Sequence, residues 1–301
     1  MLSVVNLWKK YKEVQALRGI SFEVEAGEIF GIIGPDGAGK TTLFRILTTL
    51  LLADEGSAVL NGLDVVDNFE EIRRRIGYMP GRFSLYQDLS VEENLNFYAK
   101  IFSTGIEENY SLIRDIYQHL KPFKKRRAGA LSGGMKQKLA LCCALIHRPL
   151  VLFLDEPTTG IDPVSRKELW QMLRKLKEQG ITIIVSTPYM DEASLCDRIA
   201  LIREGIFLKI DAPENIVNQF DGTLWSVAAD NMSKLLQDLR QHEHILTVFT
   251  FGDTHHATVD ASALSINDLA NDLEKNGYHH IEIHEIKAGI EDCFMALERN
   301  K

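Results

Sequence analysis

The chain has 301 residues, of which 45% are hydrophobic and 25% charged, so wholesale disorder and fibrous repeats are excluded and two domains of average size are expected. The formal charge of −8, from 34 basic and 42 acidic residues, argues against a protein whose main role is to coat nucleic acid. The four cysteines form no CxxC pair and no apolar run is long enough to span a membrane, so we expect a protein of the reducing cytoplasm.

The first part of the chain predicts a strand, a glycine loop and a helix in direct succession. Residues 20–33 indicate two short strands separated by a turn at Ala26-Gly27, and the second strand leads into the run GPDGAGKTT. The following LFRILTTLLL has helical character, and residues 57–66 predict a hairpin around Asn61-Gly62.

The middle of the chain is predicted to be rich in helices and then to alternate strands with helices. Residues 90–120 carry apolar positions at helical spacing, and the helical part extends to about residue 148. The runs PLVLFLDEP and ITIIVST are typical of strands buried on both faces, and the amphipathic helix between them ends at Gly180. Together with a hairpin in DRIALIREGIFLKI, this alternation predicts an α/β fold with a mostly parallel sheet.

The pattern changes near residue 222, where shorter strands and helices follow one another. Their order indicates a small α+β unit of strand, helix, two strands, helix, strand and helix. We therefore predict an α/β domain at residues 1–221, with a helical subdomain at about 82–148, and an α+β domain at residues 222–301.

A phosphate-binding loop is the most specific motif, because residues 34–41 fit GxxxxGK[ST] and have the required strand and helix on either side. Its glycines allow successive N–H groups to point at phosphate oxygens, while Lys40 brings positive charge to the β and γ phosphates. The Thr41 hydroxyl is a predicted magnesium ligand, and Thr42 is a candidate for the α phosphate. The predicted nucleotide-binding residues of the loop are Gly34, Pro35, Asp36, Gly37, Ala38, Gly39, Lys40, Thr41 and Thr42.

Two carboxylates at the end of the buried run VLFLDE complete this chemistry. Asp155 ends the predicted strand, where it can hold magnesium directly or through water. Glu156 follows it, where a carboxylate could orient and deprotonate the attacking water. The sequence therefore predicts a nucleoside triphosphatase with Glu156 as the catalytic residue and Thr41 and Asp155 as metal ligands.

A second element that can bind an anion lies in LSGGMKQKLAL at residues 131–141. Ser132, Gly133 and Gly134 open a predicted helix, and the N-terminus of a helix attracts negative charge. Because one chain then carries two phosphate-binding elements far apart in sequence, we expect them to serve two different nucleotides.

The order GPDGAGKTT, LSGGMKQKL, VLFLDEP, TTGIDP and a final IVST strand resembles the ATP-binding subunits of ABC transporters over about residues 2–220. The resemblance implies a P-loop NTPase fold of the ABC type and a head-to-tail dimer. Each ATP, with Mg²⁺, would lie between the phosphate loop of one subunit and the SGG signature of the other. By position, Tyr11 would stack on adenine, Ser132 and Gly134 would touch the γ phosphate of the opposite ATP, and Asp162 would lie at the subunit interface.

The C-terminal part resembles exporters of the daunorubicin-resistance type, which carry a small α+β domain and often end in a segment like SLEDVF. The matching stretch in this chain is GIEDCF, residues 289–294. This implies the ATPase subunit of an exporter, peripheral on the inner face of the cell membrane. Its partners would be transmembrane permease subunits and a second ABC ATPase chain, and no nucleic acid. By the same analogy, residues 83–102 should lie near the membrane partner.

Two positions depart from the family pattern. After IGYMP the family usually has a glutamine that senses the γ phosphate and magnesium, whereas this chain has Gly81. After the IVST strand the family usually has a histidine that bonds the γ phosphate, whereas Pro188 has neither an imidazole nor an N–H. Both changes affect the chain's own ATP site, so we expect that site to turn over slowly in an asymmetric dimer; a homodimer that tolerates both changes is the alternative.

Other functions remain open at this point. A soluble cassette ATPase that acts on ribosomes, or a nucleotide sensor with weak catalysis, would share the same motifs. The alternation of His280, Glu282 and His284 along a predicted strand also leaves a metal site open.

Overall fold

The computed structural model describes residues 1–299 and separates the chain into two compact units, Met1–Pro213 and a second unit that begins at Glu214. The strands are β1 (Leu2–Tyr11), β2 (Val14–Val24), β3 (Ile29–Ile33), β4 (Glu55–Leu60), β5 (Leu63–Asp64), β6 (Ile76–Met79), β7 (Val151–Asp155), β8 (Thr182–Thr187), β9 (Arg198–Arg203), β10 (Ile206–Asp211), β11 (Thr223–Ala228), β12 (Ile245–Phe251), β13 (Thr254–Val259) and β14 (Glu282–Ile286). The α-helices are α1 (Lys40–Leu47), α2 (Phe69–Arg75), α3 (Val91–Ile101), α4 (Tyr110–Leu120), α5 (Gly133–Leu145), α6 (Pro163–Glu178), α7 (Pro213–Asn218), α8 (Met232–Gln241), α9 (Ile266–Lys275) and α10 (Ile290–Arg299).

The main sheet of the first unit has six strands in the order β10-β9-β3-β8-β7-β6. All neighbours are parallel except β9 and β10, which form the predicted hairpin. Every residue of β3, β7 and β8 is buried, as expected for strands covered on both faces. The predicted α/β fold with a mostly parallel sheet is therefore confirmed.

A second sheet of the first unit is antiparallel, in the order β2-β1-β4-β5, and the sequence did not separate it from the main sheet. The reason is that β2 and β3 are adjacent in the chain and both apolar, yet only β3 joins the parallel sheet. Helix α2 was also not predicted, because its seven residues bury one side chain, Ile72. Short elements held by a single contact leave little periodicity in the sequence.

The helical part between β6 and β7 consists of α3, α4 and α5. Helix α3 begins with a capping box in which Ser90 and Glu93 satisfy each other's backbone N–H groups. Helix α5 is buried continuously from Lys138 to Leu145, which explains the apolar run LALCCAL at its C-terminal end. The packing of these helices positions the N-terminus of α5, where the SGG motif lies.

The second unit is built on the antiparallel sheet β12-β13-β11-β14, and its βαββαβ order is that of a ferredoxin-like split fold. Trp225, Val227, Leu235 and Leu269 belong to its hydrophobic core. The sequence placed the boundary after residue 221, whereas the first unit ends at Pro213. Helix α7 belongs to the second unit from Glu214 onward, and within this unit the Cys293 thiol donates to the carbonyl of Ile216 at 3.6 Å.

Over residues 1–299, the structure contains no helix that is both long and apolar enough to cross a bilayer.

Candidate nucleotide-binding site

The phosphate loop lies at the carboxyl edge of the main sheet, between the end of β3 and the start of α1. Parallel strands bring their carboxyl ends to one edge, so β3, β7 and β8 place Gly34, Asp155 and Thr187 close together. The N–H of Gly34 donates to the carbonyl of Thr187 at 3.2 Å, which ties the loop to β8.

Gly39 shows why the loop needs glycine. Its φ is 106°, and a Cβ at this position would lie 2.4 Å from the carbonyl oxygen of Ala16. Gly39 is the N-cap residue of α1. Because glycine has no side chain, it does not accept a hydrogen bond from the first N–H groups of the helix. This is the arrangement that allows a helix N-terminus to receive phosphate oxygens.

Lys40 is buried at 3% exposure, and its ammonium group is surrounded by acceptors. It donates to the carbonyls of Gly34 at 2.8 Å and Pro35 at 3.0 Å, and it lies 3.1 Å from Oε1 of Glu156. The predicted catalytic carboxylate and the predicted phosphate-binding lysine are therefore an ion pair in this structure. A γ phosphate between them would accept hydrogen bonds from the same ammonium group.

The two carboxylates after β7 have different surroundings. Asp155 is 2% exposed and accepts a hydrogen bond from the Ser186 hydroxyl at 2.7 Å. Glu156 has a left-handed φ of 51°, held by its N–H, which donates to the carbonyl and the hydroxyl of Ser186 at 3.1 and 3.0 Å. Backbone strain of this kind is common at functional sites, where it aims a side chain.

The oxygen donors here fit a magnesium ion. Mg²⁺ prefers hydroxyl and carboxylate oxygens and keeps ligands from water and substrate phosphates, so Thr41 and Asp155 would supply the protein's share. Within residues 1–299, no three or more histidine, cysteine or acidic side chains are grouped so that they could hold a metal ion by themselves. This includes the histidines around β14.

A cavity of about 300 Å³ opens beside the loop and contains the predicted adenine contact. Tyr11 ends β1 at 41% exposure and lines this cavity, as do Lys40, Thr41, Thr42 and Glu156. The structure thus brings Tyr11 and the phosphate loop to one cavity.

Arg18 and Glu204 also line the cavity, and sequence reasoning did not select them. The turn of the hairpin β9–β10 bonds to both β2 and the loop. The N–H of Arg18, on β2, donates to the Gly205 carbonyl at 2.8 Å, and the N–H of Gly205 donates to the Ala38 carbonyl of the loop at 2.9 Å. Such long-range pairings leave no local signal in the sequence. The buried Nε of Arg18 has no hydrogen-bond partner among the described residues.

Gly81 and Pro188 both lie at the edge of this site. A Cβ on Gly81 would lie 3.0 Å from the carbonyl oxygen of Asp155 and 3.8 Å from Cβ of Glu156, so a side chain at this position would project beside the two carboxylates. Pro188 directly follows β8, whose last residue bonds the start of the phosphate loop. Neither residue carries a side-chain donor that could reach a phosphate.

The SGG motif and Asp162 form a separate region. Ser132 caps α5, accepting from the N–H of Met135 at 3.4 Å, and Asp162 caps α6, accepting from Ser165 N–H at 2.9 Å and from its hydroxyl at 2.6 Å. These bonds, the hydroxyl's first, lower the pKa of Asp162. A Cβ on Gly134 would lie 2.4 Å from the Ser165 hydroxyl oxygen, so the two helix starts are in close contact.

The residues around the cavity do not include Ser132, Gly133, Gly134 or Asp162. The structure therefore brings the SGG motif together with Asp162 but does not bring either to the phosphate loop of the same chain.

Comparison with known proteins gives a consistent result. The family model described as ABC transporter matches residues 17–159. The chain is 32% identical over 297 residues to the daunorubicin resistance ATP-binding protein DrrA2 of Streptomyces coeruleorubidus, covering 96% of this chain and 92% of the relative. It is 39% identical over 286 residues to the Probable multidrug ABC transporter ATP-binding protein YbhF of Escherichia coli, covering 94% of this chain. This chain spans about half of that relative's length, 49%.

Two solved structures are similar over about 70% of the chain. The ATP-binding subunit of an ABC transporter superposes with a TM-score of 0.67 at 28% identity, covering 73% of this chain and 93% of that one. A dimeric ATP-binding cassette in a post-hydrolysis state, bound to ADP and phosphate, superposes with a TM-score of 0.64 at 26% identity, covering 70% and 98% of the two chains.

Proposed function

The chain belongs to the ATP-binding proteins of ABC transporters, and on this basis we propose that it binds MgATP as the nucleotide-binding subunit of an exporter. The observation that carries the proposal is the ion pair of Lys40 and Glu156, 3.1 Å apart, at the carboxyl edge of the sheet. Lys40 and the loop N–H groups would bind the phosphates, Thr41 and Asp155 would hold magnesium, and Glu156 would receive the proton of the attacking water.

The dimer is part of the proposal. Because Ser132, Gly134 and Asp162 do not line the cavity of their own chain, we infer that they would complete the ATP site of a partner subunit. Gly81 and Pro188 weaken this chain's own site, whereas its SGG motif is intact. We therefore favour a second, different ATPase chain as the partner, whose site this chain's motif would complete.

The test is steady-state ATP hydrolysis by the purified chain. A single contact to the transition-state charge is worth about 10²–10³ in rate, and because Gly81 still lacks a side chain we expect Pro188→His alone to raise turnover by about tenfold. Glu156→Gln should remove the remaining turnover without preventing ATP binding. A brisk parent that Pro188→His does not improve would contradict the weakened site and favour a self-sufficient homodimer.

A second cavity supports the membrane partner. About 220 Å³ in volume, it lies between the main sheet and the helical part, next to the segment predicted to face a membrane subunit. Its lining is largely apolar and includes Leu50, Leu85, Tyr98, Phe102 and Ala140. Leu50 is 58% exposed at this cavity. An apolar cavity with an exposed leucine is suited to receive an apolar segment of a partner protein.

Leu50→Glu tests this surface. A charge placed in an apolar contact should lower recovery of the chain with detergent-solubilised permease subunits by about tenfold, as for one central interface residue. Leu246→Glu is the matched control, because Leu246 is 54% exposed in the second unit. MgATP binding should be unchanged in both variants. Equal recovery of the two variants with the permease would exclude this cavity as the docking site.

A further inference from the structure

Glu192 is a buried carboxylate that the proposed ATP chemistry does not use. It lies in the 3₁₀ turn Met190–Leu195, directly after the segment that carries Pro188, and its side chain is 1% exposed. Three donors reach it: Arg166 Nε at 2.6 Å and Trp170 Nε1 at 2.9 Å share Oε1, and the Thr158 hydroxyl bonds Oε2 at 3.1 Å. A carboxylate with this many partners fixes its surroundings tightly.

The three donors come from two other parts of the ATPase unit. Thr158 lies two residues after Glu156, in the loop that leads to Asp162. Arg166 and Trp170 lie on α6, the helix that Asp162 caps. Glu192 therefore joins the segment after β8 to the loop of the predicted catalytic residue and to α6.

Arg166 adds further contacts with the same segment. Its Nη2 pairs with Asp191 at 2.8 Å, and its guanidinium lies over the ring of Tyr189, 4.4 Å from the centroid. Residues 189–192 are thus held through bonds within the chain. A buried carboxylate requires such a cation, because the free-energy cost of removing its charge from water would otherwise be uncompensated.

Pro188 bears on how the segment after β8 is held in place. In a site where the residue after β8 bonds the nucleotide, the nucleotide itself can hold the segment. Proline offers no such bond, whereas all three donors to the Glu192 carboxylate come from side chains of this chain.

We propose that Glu192 is a positioning residue, which holds residues 188–195 against Thr158 and α6. This segment therefore stays structurally ordered whether or not a nucleotide is bound. The inference rests on the proposed function, because it concerns the edge of the same ATP site. In this proposal, the buried carboxylate of Glu192 orders residues 188–195, as a contact with the nucleotide would do in other sites.

The test compares the parent full-length chain with Glu192→Gln and Thr158→Val, each with and without MgATP. Glu168→Gln is the matched control, because Glu168 is also a carboxylate of α6 that pairs with a buried cation, in this case Lys138 of α5 at 2.6 Å. Amide hydrogen exchange reports the order of residues 189–195. The indole N–H resonance of Trp170, assigned with Trp170→Phe, reports the bond to Glu192, and a fluorescent ATP analogue reports nucleotide binding.

In the parent, we expect slow exchange of residues 189–195 that MgATP leaves unchanged. Glu192→Gln removes the negative charge that accepts the bonds from Arg166 and Trp170. Amide exchange of this segment should therefore rise by about tenfold or more, and the Trp170 indole N–H resonance should move upfield. Thr158→Val should raise exchange less, and Glu168→Gln should change neither readout. Nucleotide affinity should stay within about twofold in all of them, because none touches the phosphate loop.

Two results would overturn the inference. One is exchange of residues 189–195 that is the same in Glu192→Gln and in the parent. The other is a parent segment that exchanges rapidly and slows when MgATP binds, because the nucleotide would then hold it. A parent that bound no MgATP would contradict the proposed function instead, while the comparison of parent and Glu192→Gln without nucleotide would still decide the role of Glu192.

Discussion

Lys40→Ala should weaken binding of MgATP by about 100-fold or more and abolish turnover. The buried ammonium would donate charge-assisted hydrogen bonds to the β and γ phosphates, each worth about 1.5–3 kcal/mol, and two such bonds correspond to a factor of about 100–10⁴. Its loss would also leave Glu156 without the cation that lies 3.1 Å away, so the carboxylate would repel the triphosphate. Titration with a fluorescent ATP analogue measures the effect.

Lys138→Ala is the matched control for removing a buried lysine. Lys138 pairs with Glu168 at 2.6 Å, and its side chain is 11% exposed, but it lies outside the cavity of the phosphate loop. It should bind the nucleotide like the parent. If Lys40→Ala also bound like the parent, the loop would not be the nucleotide site.

The phosphate loop and its two carboxylates could be predicted from the sequence because each depends on local order. A buried apolar strand followed by glycines and a lysine defines the loop, and the run VLFLDE defines the end of β7. The parallel sheet then brings the two together without further information. The position of Gly81 beside Asp155 follows in the same way, since β6 and β7 are parallel neighbours.

The remaining features depend on contacts between distant residues. Glu204 reaches the cavity only because the turn of β9–β10 bonds to Ala38, and Glu192 meets Thr158 and Trp170 across 34 and 22 residues of sequence. The sequence around Glu192, YMDEAS, looks like an exposed acidic turn, yet tertiary contacts bury this carboxylate. Local propensity carries no signal for a buried ionic contact whose partners lie on another helix.

These contacts bear on the asymmetry of the proposed dimer. On the proposed function, Gly81 and Pro188 would leave the chain's own site without two side-chain contacts, whereas Ser132 and Asp162 cap the starts of α5 and α6. The chain would then be better equipped to complete a partner's site than to turn over its own. The two regions can be tested separately, because they do not share a residue.

Gly134→Ala should abolish any MgATP-dependent association of the chain with a second copy of itself, the homodimer form of the head-to-tail pairing, while its own nucleotide affinity stays within about twofold. The added Cβ would lie 2.4 Å from Oγ and 2.8 Å from Cβ of Ser165, so both helix starts must shift. Ser165 could move only by giving up its 2.6 Å bond to Asp162, and both parts of the proposed interface would be displaced together. Sedimentation with MgATP in the Glu156→Gln background, which preserves the ATP, measures association.

A second substitution distinguishes this contact from general damage to α5. Gly134→Ala/Ser165→Gly removes the atoms that the new methyl group meets, so it should recover part of the association. Gly105→Ala is the benign control, because its Cβ would have ordinary contact, 3.5 Å from the nearest atom. Association of Gly134→Ala equal to that of the parent would show that the SGG motif does not lie at the interface. Loss of association without recovery in the double variant would show that relieving the close approach is not sufficient, because Ser165→Gly also removes the hydroxyl bond to Asp162.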